Sequence, residues 1–229
     1  MAVGTASLSQ SQVGEFRRAG FVVVRGLIGA GQVSELLADY DRALRGEIEV
    51  PAFGDRRVKG AMVQLANPSQ HMAHWRGHAY FRRTLAAAKQ LIGPDAAYQY
   101  DQLIMKPAHY PAETDWHQDA GYWQDRNGSD RAVTCWLALT PAWKENGGMQ
   151  FIPGSHLGPI QEHVSIADRS EINGALATAA DDRNAVAVTL EPGDATFHHC
   201  RTLHYAGGNA TATPRYAVIT HFWSPQGTR

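Results

Sequence analysis

Cysteine is scarce in this sequence: Cys135 and Cys200 are the whole complement, and no C-x-x-C spacing occurs. A disulfide framework is therefore not implied, and both thiols are expected to be reduced. Long hydrophobic runs are missing as well. Stretches such as Phe21-Val22-Val23-Val24 fall far short of the roughly 20 apolar residues that span a bilayer. There is no excess charge of either sign, 21 Lys and Arg standing against 22 Asp and Glu for a formal net charge of -1. That balance gives no broad attraction to nucleic acid or to an anionic membrane. The opening residues Met1-Ala2-Val3-Gly4-Thr5 carry neither a basic nor a long apolar segment, so no secretory signal and a cytoplasmic location are expected. Repeats, low-complexity tracts and linkers are lacking, and 229 residues suit one well-buried domain, residues 1–229.

Local signals are plentiful. Ser9 and Gln12 have capping-box spacing, Val13 and Phe16 share a face, and Gly20 supplies a stop, which predicts a first helix. Phe21 to Arg25 reads as a short buried strand. Val33, Leu36, Leu37, Tyr40 and Leu44 recur at helical spacing, and a further helix is predicted from about Tyr80 to Ile92, ending at Gly93-Pro94. Beyond residue 95 the pattern becomes short apolar runs: 98–105, 132–139, 149–152, 186–190, 195–198 and 216–223. Asn146-Gly147-Gly148, Pro153-Gly154, Pro192-Gly193-Asp194 and Gly207-Gly208-Asn209 separate them as turns. Helices first and many strands afterwards predict an α+β protein with a β-sandwich or jelly-roll core over residues 96–229. Residues 1–95 form a mainly helical cover on one sheet.

Histidine is the residue in excess, with eleven in the chain. In His117-Gln118-Asp119 an extended backbone would turn an imidazole and a carboxylate to one side. Two histidines and one carboxylate on one face of an octahedron leave positions open for a cosubstrate and dioxygen, which suits iron(II) in oxygenases. His204, after the strand 194–197, is chosen as the third ligand. An H-x-D tripeptide alone occurs by chance; its context gives it weight. Arg215 lies eleven positions beyond His204 at the start of the last strand, where an inward guanidinium can pair bidentately with a carboxylate. A chelating 2-oxo acid needs both features.

The chain resembles the phytanoyl-CoA dioxygenase family of iron(II)- and 2-oxoglutarate-dependent oxygenases. The resemblance rests on residues 20–27, Trp116-His117-Gln118-Asp119, Asn146-Gly147-Gly148-Met149, Ile152-Pro153-Gly154-Ser155-His156, Pro192-Gly193-Asp194, residues 203–209 and Arg215, in family order. It implies a double-stranded β-helix (jelly-roll) core. It also implies iron(II), dioxygen and 2-oxoglutarate, the last released as succinate and carbon dioxide. Carried over, His117, Asp119 and His204 resemble the metal ligands and Arg215 the anchor of the distal carboxylate. Gln102 and Trp136 fall where the family often lines the cosubstrate pocket, and Lys59 where it often has an upstream lysine. Related halogenases carry a small residue at the place of Asp119, so hydroxylation of a C–H bond of a small molecule is expected over halogenation. Nothing in the sequence singles out a CoA thioester.

Other residues are weaker candidates. Tyr122 and Trp123 can form an aromatic wall near the metal or pack in the core. The segment 158–185, with Gln161, His163 and Arg169, is a binding loop or an ordinary surface excursion. Arg56, Arg57 and Lys59, beside Asp55, read best as a solvated turn. His71, His74 and His78 are expected on an exposed face without a carboxylate. His198 would join His204 on one face only if the strand ran unbroken. Two other readings stay open: a zinc or manganese hydrolase or isomerase on a cupin-like barrel, and a non-catalytic small-molecule binder. The oligomeric state is not readable from the sequence.

Overall fold

A computed structural model describes residues 7–52, 62–123, 131–166 and 175–224. Helix α1 (Gln10–Ala19) begins at a complete capping box between Ser9 and Gln12. It ends where Gly20 takes a left-handed φ of 84°, a conformation that costs glycine little. A Cβ at this position would meet the His156 ring and the Thr202 hydroxyl, so the turn requires glycine for space as well. Strand β1 (Phe21–Val24) follows directly. Helix α2 (Ala30–Leu44) buries Val33, Leu36 and Tyr40 along one stripe. After β2 (Val63–Ala66) come the single turn α3 (Pro68–His71) and α4 (Ala79–Ile92).

The remaining strands are β3 (Ala97–Lys106), β4 (Thr114–His117), β5 (Ala132–Ala138), β6 (Met149–Phe151), β7 (Val164–Ser165) and β8 (Leu176–Ala177). They are followed by β9 (Val186–Ala187), β10 (Ala195–His199), β11 (His204–Ala206) and β12 (Arg215–Trp223). A six-stranded antiparallel sheet has the order β1-β10-β5-β12-β3-β2, and a four-stranded sheet the order β4-β11-β6-β9. These form the jelly roll, with helices layered on the larger sheet. The period of two along each strand sorts its side chains. Leu103, Val133, Leu137, Phe197, Val218 and Phe222 face the helices, in one core with Leu36, Tyr40, Trp75 and Tyr80. Between the sheets, Phe21, Trp136, Met149, Phe151 and Leu190 make a smaller apolar cluster. The rest of that interior is polar.

Three expectations need correction. Residues 1–95 are more than a cover, because β1 and β2 supply both edge strands of the larger sheet. The strand expected over 186–190 shortens to β9, with only an isolated bridge from Leu190 to Ala142 beyond it. The three histidines do not share an exposed helix face: His71 closes α3, His74 sits in a 3-10 turn (Ala73–Gly77), and His78 caps α4. Carboxylates from α2 reach two of them, Asp39 at 2.6 Å from His74 and Glu35 at 3.1 Å from His78. The sequence separates these partners by more than thirty residues, which is why spacing alone did not show them.

Candidate active site

His117 ends β4 and His204 begins β11, and the two are directly opposed in the antiparallel pair. Cross-strand neighbours of this kind hold their Cβ atoms about 5 Å apart, and here the ring centroids are 4.1 Å apart. Asp119 is not on an extended strand, as the tripeptide suggested, but opens a 3-10 turn (Asp119–Trp123). The turn curls its carboxylate back toward the rings, with Oδ1 at 3.9 Å from His117 Nε2 and 3.5 Å from His204 Nε2. One donor atom from each of the three residues lies within 4.8 Å of the others, and all three residues are buried.

Hydrogen bonds orient these donors. His117 Nδ1 donates to the Asp115 carbonyl at 2.7 Å and His204 Nδ1 to the Thr202 carbonyl at 2.9 Å, which leaves both Nε2 lone pairs toward the common point. Burial lowers the pKa of both rings; for His204 the neighbouring His117 and His198 lower it further. Neutral imidazoles are what a metal requires. Burial alone would raise the Asp119 carboxyl, but His204 and His198 hold it well below the usual range, so it is a carboxylate. Its other oxygen, Oδ2, accepts a hydrogen bond from Thr134 and contacts His198 Nε2 at 3.2 Å. Two neutral nitrogens and an anionic oxygen fit a hard-to-borderline divalent ion such as iron(II).

Arg215 is 2% exposed at the start of β12, and its Nε and one terminal nitrogen have no partner. Burial draws its pKa down to about 10, so the guanidinium stays charged at neutral pH. An uncompensated buried cation is costly unless an anion completes it. Its guanidinium carbon lies 5.1 Å from the Trp136 ring centre, and Arg215, Trp136 and Gln102 line the same cavity of about 600 Å³ as the triad. Sequence reasoning missed Lys106, which pairs in register with Arg215 and is fully buried. Its Nζ donates to the Gly207 carbonyl at 2.6 Å and the Ala206 carbonyl at 3.3 Å, tying β3 to the strand of His204. Burial, and then Arg215, pull its pKa to about 7.

The strand carrying His198 does break before His204, and the two fall in different sheets. The His198 side chain nevertheless crosses the interior to Asp119, with the two histidine rings 4.4 Å apart. Thr134 and His221 were not singled out by sequence. They share strand faces with Trp136 and Arg215 respectively, so the period of two held the signal. Since Thr134 spends its proton on Asp119, its oxygen accepts from His221 Nδ1 at 2.9 Å. Tyr122 stands edge-on to His117 and Trp123 edge-on to His221, so both belong to the cavity wall. Within 158–185, Gln118 N donates to His163 Nε2 at 3.0 Å, and Gln161 N to the Gln118 side chain at 2.8 Å. That part of the segment is fastened to Gln118, beside the turn that opens at Asp119. Arg56, Arg57, Lys59 and Arg169 lie outside the described residues.

The sequence model of the family described as Phytanoyl-CoA dioxygenase (PhyH) matches residues 16–217. The chain belongs to the phytanoyl-CoA dioxygenase family. Solved structures similar to this chain hold 2-oxoglutarate, or iron with alpha-ketoglutarate. Ectoine dioxygenase of Bordetella parapertussis is 27% identical over 244 residues, spanning 97% of this chain and 77% of that protein. EvdO2 from Micromonospora carbonacea var. aurantiaca, solved with 2-oxoglutarate, has a TM-score of 0.80 at 28% identity and covers 96% of this chain and 93% of its own. The epimerase SnoN, solved with Fe3+, alpha-ketoglutarate and nogalamycin RO, has a TM-score of 0.73 at 29% identity, over 94% and 83% of the chains. No helix among the described residues is long and apolar enough to cross a membrane.

Proposed function

We propose that residues 1–229 act as one oxygenase unit that hydroxylates a C–H bond of a small molecule, with the metal on His117, Asp119 and His204. The carrying observation is that the neutral imidazole pair, the carboxylate and an unpartnered Arg215 line one cavity. Iron(II) with 2-oxoglutarate supplies the activation of dioxygen, one oxygen atom going to succinate as carbon dioxide leaves and the other to the substrate alcohol. The protein's part is binding and orientation. Arg215 anchors the far carboxylate of the oxo acid, Trp136 holds the guanidinium plane, and Gln102 lies beside them on β3. Thr134 and His198 fix the Asp119 carboxylate so that only Oδ1 faces the metal position. Tyr122 and Trp123 wall the cavity against water.

A carboxylate at position 119 favours hydroxylation over halogenation, because it fills the place a halide would need. A zinc or manganese hydrolase has no use for a buried guanidinium without a partner, and Arg215 is the feature that ranks it lower. A small-molecule partner, no nucleic acid and a cytoplasmic location go with this reading; the formal net charge of -1 supports the second of these. The test is an anaerobic titration of the iron(II)-loaded protein with 2-oxoglutarate, followed by the visible charge-transfer absorption of the chelate. A saturable band that disappears in His204→Ala is expected. Bound iron without a band would favour the cupin-like metal enzyme.

A further inference from the structure

Strand β4 carries more than His117 into the cavity. Its period of two puts Asp115 on the face of that histidine, and Glu113, just before the strand, continues the row. All three residues line the cavity. Asp115 gives its carbonyl to His117 Nδ1, so one stretch of backbone sets both the ring and the carboxylate. Glu113 is exposed and is held from the neighbouring strand, where the Tyr205 hydroxyl donates to its Oε2. Its Oε1 has no partner among the described residues. The Tyr205 ring in turn stacks on Trp116, with centroids 5.3 Å apart.

The charges around this cavity do not balance without a further cation. An oxo-acid dianion offsets a divalent metal, and Arg215 offsets Asp119. Glu113 and Asp115 are then in surplus, because Arg215 is the one arginine or lysine among the described lining residues. Lys106 is outside that lining, its Nζ turned to the Ala206 and Gly207 carbonyls. Neighbouring phenols register the same excess. Burial raises the pKa of Tyr205, and the bond to Glu113 and the charges of Glu113, Asp115 and Asp182 raise it further. Burial raises Tyr122 too, and Asp119 and Asp115 add to it. Tyr122 and Tyr205 both line the cavity, so carboxylates and aromatic rings stand together, the combination that holds an ammonium group. Independently of them, buried Arg215 marks the cavity as a ligand site, since it lines the space and keeps two nitrogens unpartnered. Glu113 is four residues from His117, about 13 Å along an extended chain, so the charge sits several bonds from the carbon that meets the metal. Ile104, Met149, Ile166 and Leu176 add apolar lining for the body of such a molecule.

Building on the oxygenase reading, we propose that the substrate is an organic cation with N–H donors, a protonated amine on an apolar body, seated at Glu113 and Asp115. Protein loaded with manganese(II) and saturating 2-oxoglutarate is titrated calorimetrically under nitrogen with phenylalkylamines of graded chain length. The alcohols and carboxylates of the same lengths are titrated beside them. At one or more lengths the amine should bind about tenfold or more tightly than its alcohol and its carboxylate. That preference should shrink in roughly 1 M salt, where the Debye length falls to about 3 Å. Glu113→Gln, which keeps an acceptor for Tyr205, and Asp115→Asn should each weaken the amine about fivefold or more, and the double variant should abolish the preference. Alcohol and 2-oxoglutarate affinities should stay within about twofold of the parent, which a merely structural role would not allow. An amine that binds no more tightly than its alcohol or carboxylate overturns the cationic assignment and leaves the oxygenase reading intact. A preference that survives the double variant, or equal losses for amine and alcohol, overturns the role of the two carboxylates. Failure of 2-oxoglutarate itself to bind is read in the preceding titration and overturns the oxygenase reading instead.

Discussion

The strands of the larger sheet have two faces, and the side chains on them behave in opposite ways. Toward the helices stand Leu103, Val133, Leu137, Phe197, Val218 and Phe222, in continuous apolar contact with Leu36, Tyr40 and Tyr80. Polar groups on that side include pairs such as Tyr80 with Thr220 at 2.6 Å and Trp75 with Asp39 at 2.8 Å. Toward the second sheet the same strands present Arg215, His221, Thr134 and His198. Here Arg215, His198, His221, Gln99 and Asn67 each keep a buried atom without a partner. Unsatisfied buried groups cost stability, so the inner face is tolerable because the outer one holds the sheet in place. Stability resides on one side of each strand and binding on the other.

Substitutions that touch only one side separate the two. Asp119→Ala is expected to have the largest effect: turnover should fall by more than the roughly 100-fold that loss of an outer partner of a metal ligand costs. The far-ultraviolet dichroism and the melting cooperativity should be retained, and substantial turnover in this variant would sink the assignment of the triad. Leu36→Ala, on the helix side, should cost about 2–5 kcal/mol in denaturant unfolding and leave 2-oxoglutarate affinity unchanged. A parallel loss of affinity would show that the two sides are not separable.

Arg215→Met is expected to move the two properties in opposite directions. Cosubstrate affinity should drop by roughly 10- to 100-fold, the worth of hydrogen bonds to a charged group. The cosubstrate-free protein should melt at a higher temperature, since a buried charge without a partner has been removed. A lower melting temperature would mean that the guanidinium contributes to the fold. The smallest effect concerns Asp194 in the turn before β10. Burial opposes ionisation there, but bonds from Arg25 and the backbone N–H groups of Gly26 and Glu191 leave its pKa below the usual value. Its carboxylate therefore stabilises the protein above the ordinary aspartate range and ceases to do so as pH falls through the lowered value. Asp194→Asn should be slightly less stable at pH 7 and lose less on acidification below about pH 4. Identical acid profiles would remove that role.

Much of the helical layer was legible in the sequence because its signals are local. The Ser9–Gln12 box, the stripe through Val33, Leu36 and Tyr40, and the stop at Gly93 each act within a few residues. The long strands β3, β5 and β12 were legible for the same reason. Strands β2, β4, β7 and β8 were not, since two to four residues carry too little pattern and are extended only by their partners. In the site, the ligand spacing and Arg215 drew notice through residue type. His198 reaches Asp119 from the opposing sheet, and Lys106 meets the Ala206 and Gly207 carbonyls a hundred residues away. Neither contact has a counterpart in sequence spacing.

The pairing of β1 with β10 also sets an order of assembly. Phe21 to Val24 leave the ribosome before their partners, Ala195 to His198, which follow about 170 residues later. Until then the nascent chain carries an apolar strand with a free edge, a template for wrong pairing that invites a chaperone. The same delay means that a partial chain holds His117 and Asp119 without His204. On the proposed ligand assignment, a strong grip on a metal therefore waits for the strands that close the sheet, and ions met during synthesis find only half a claw.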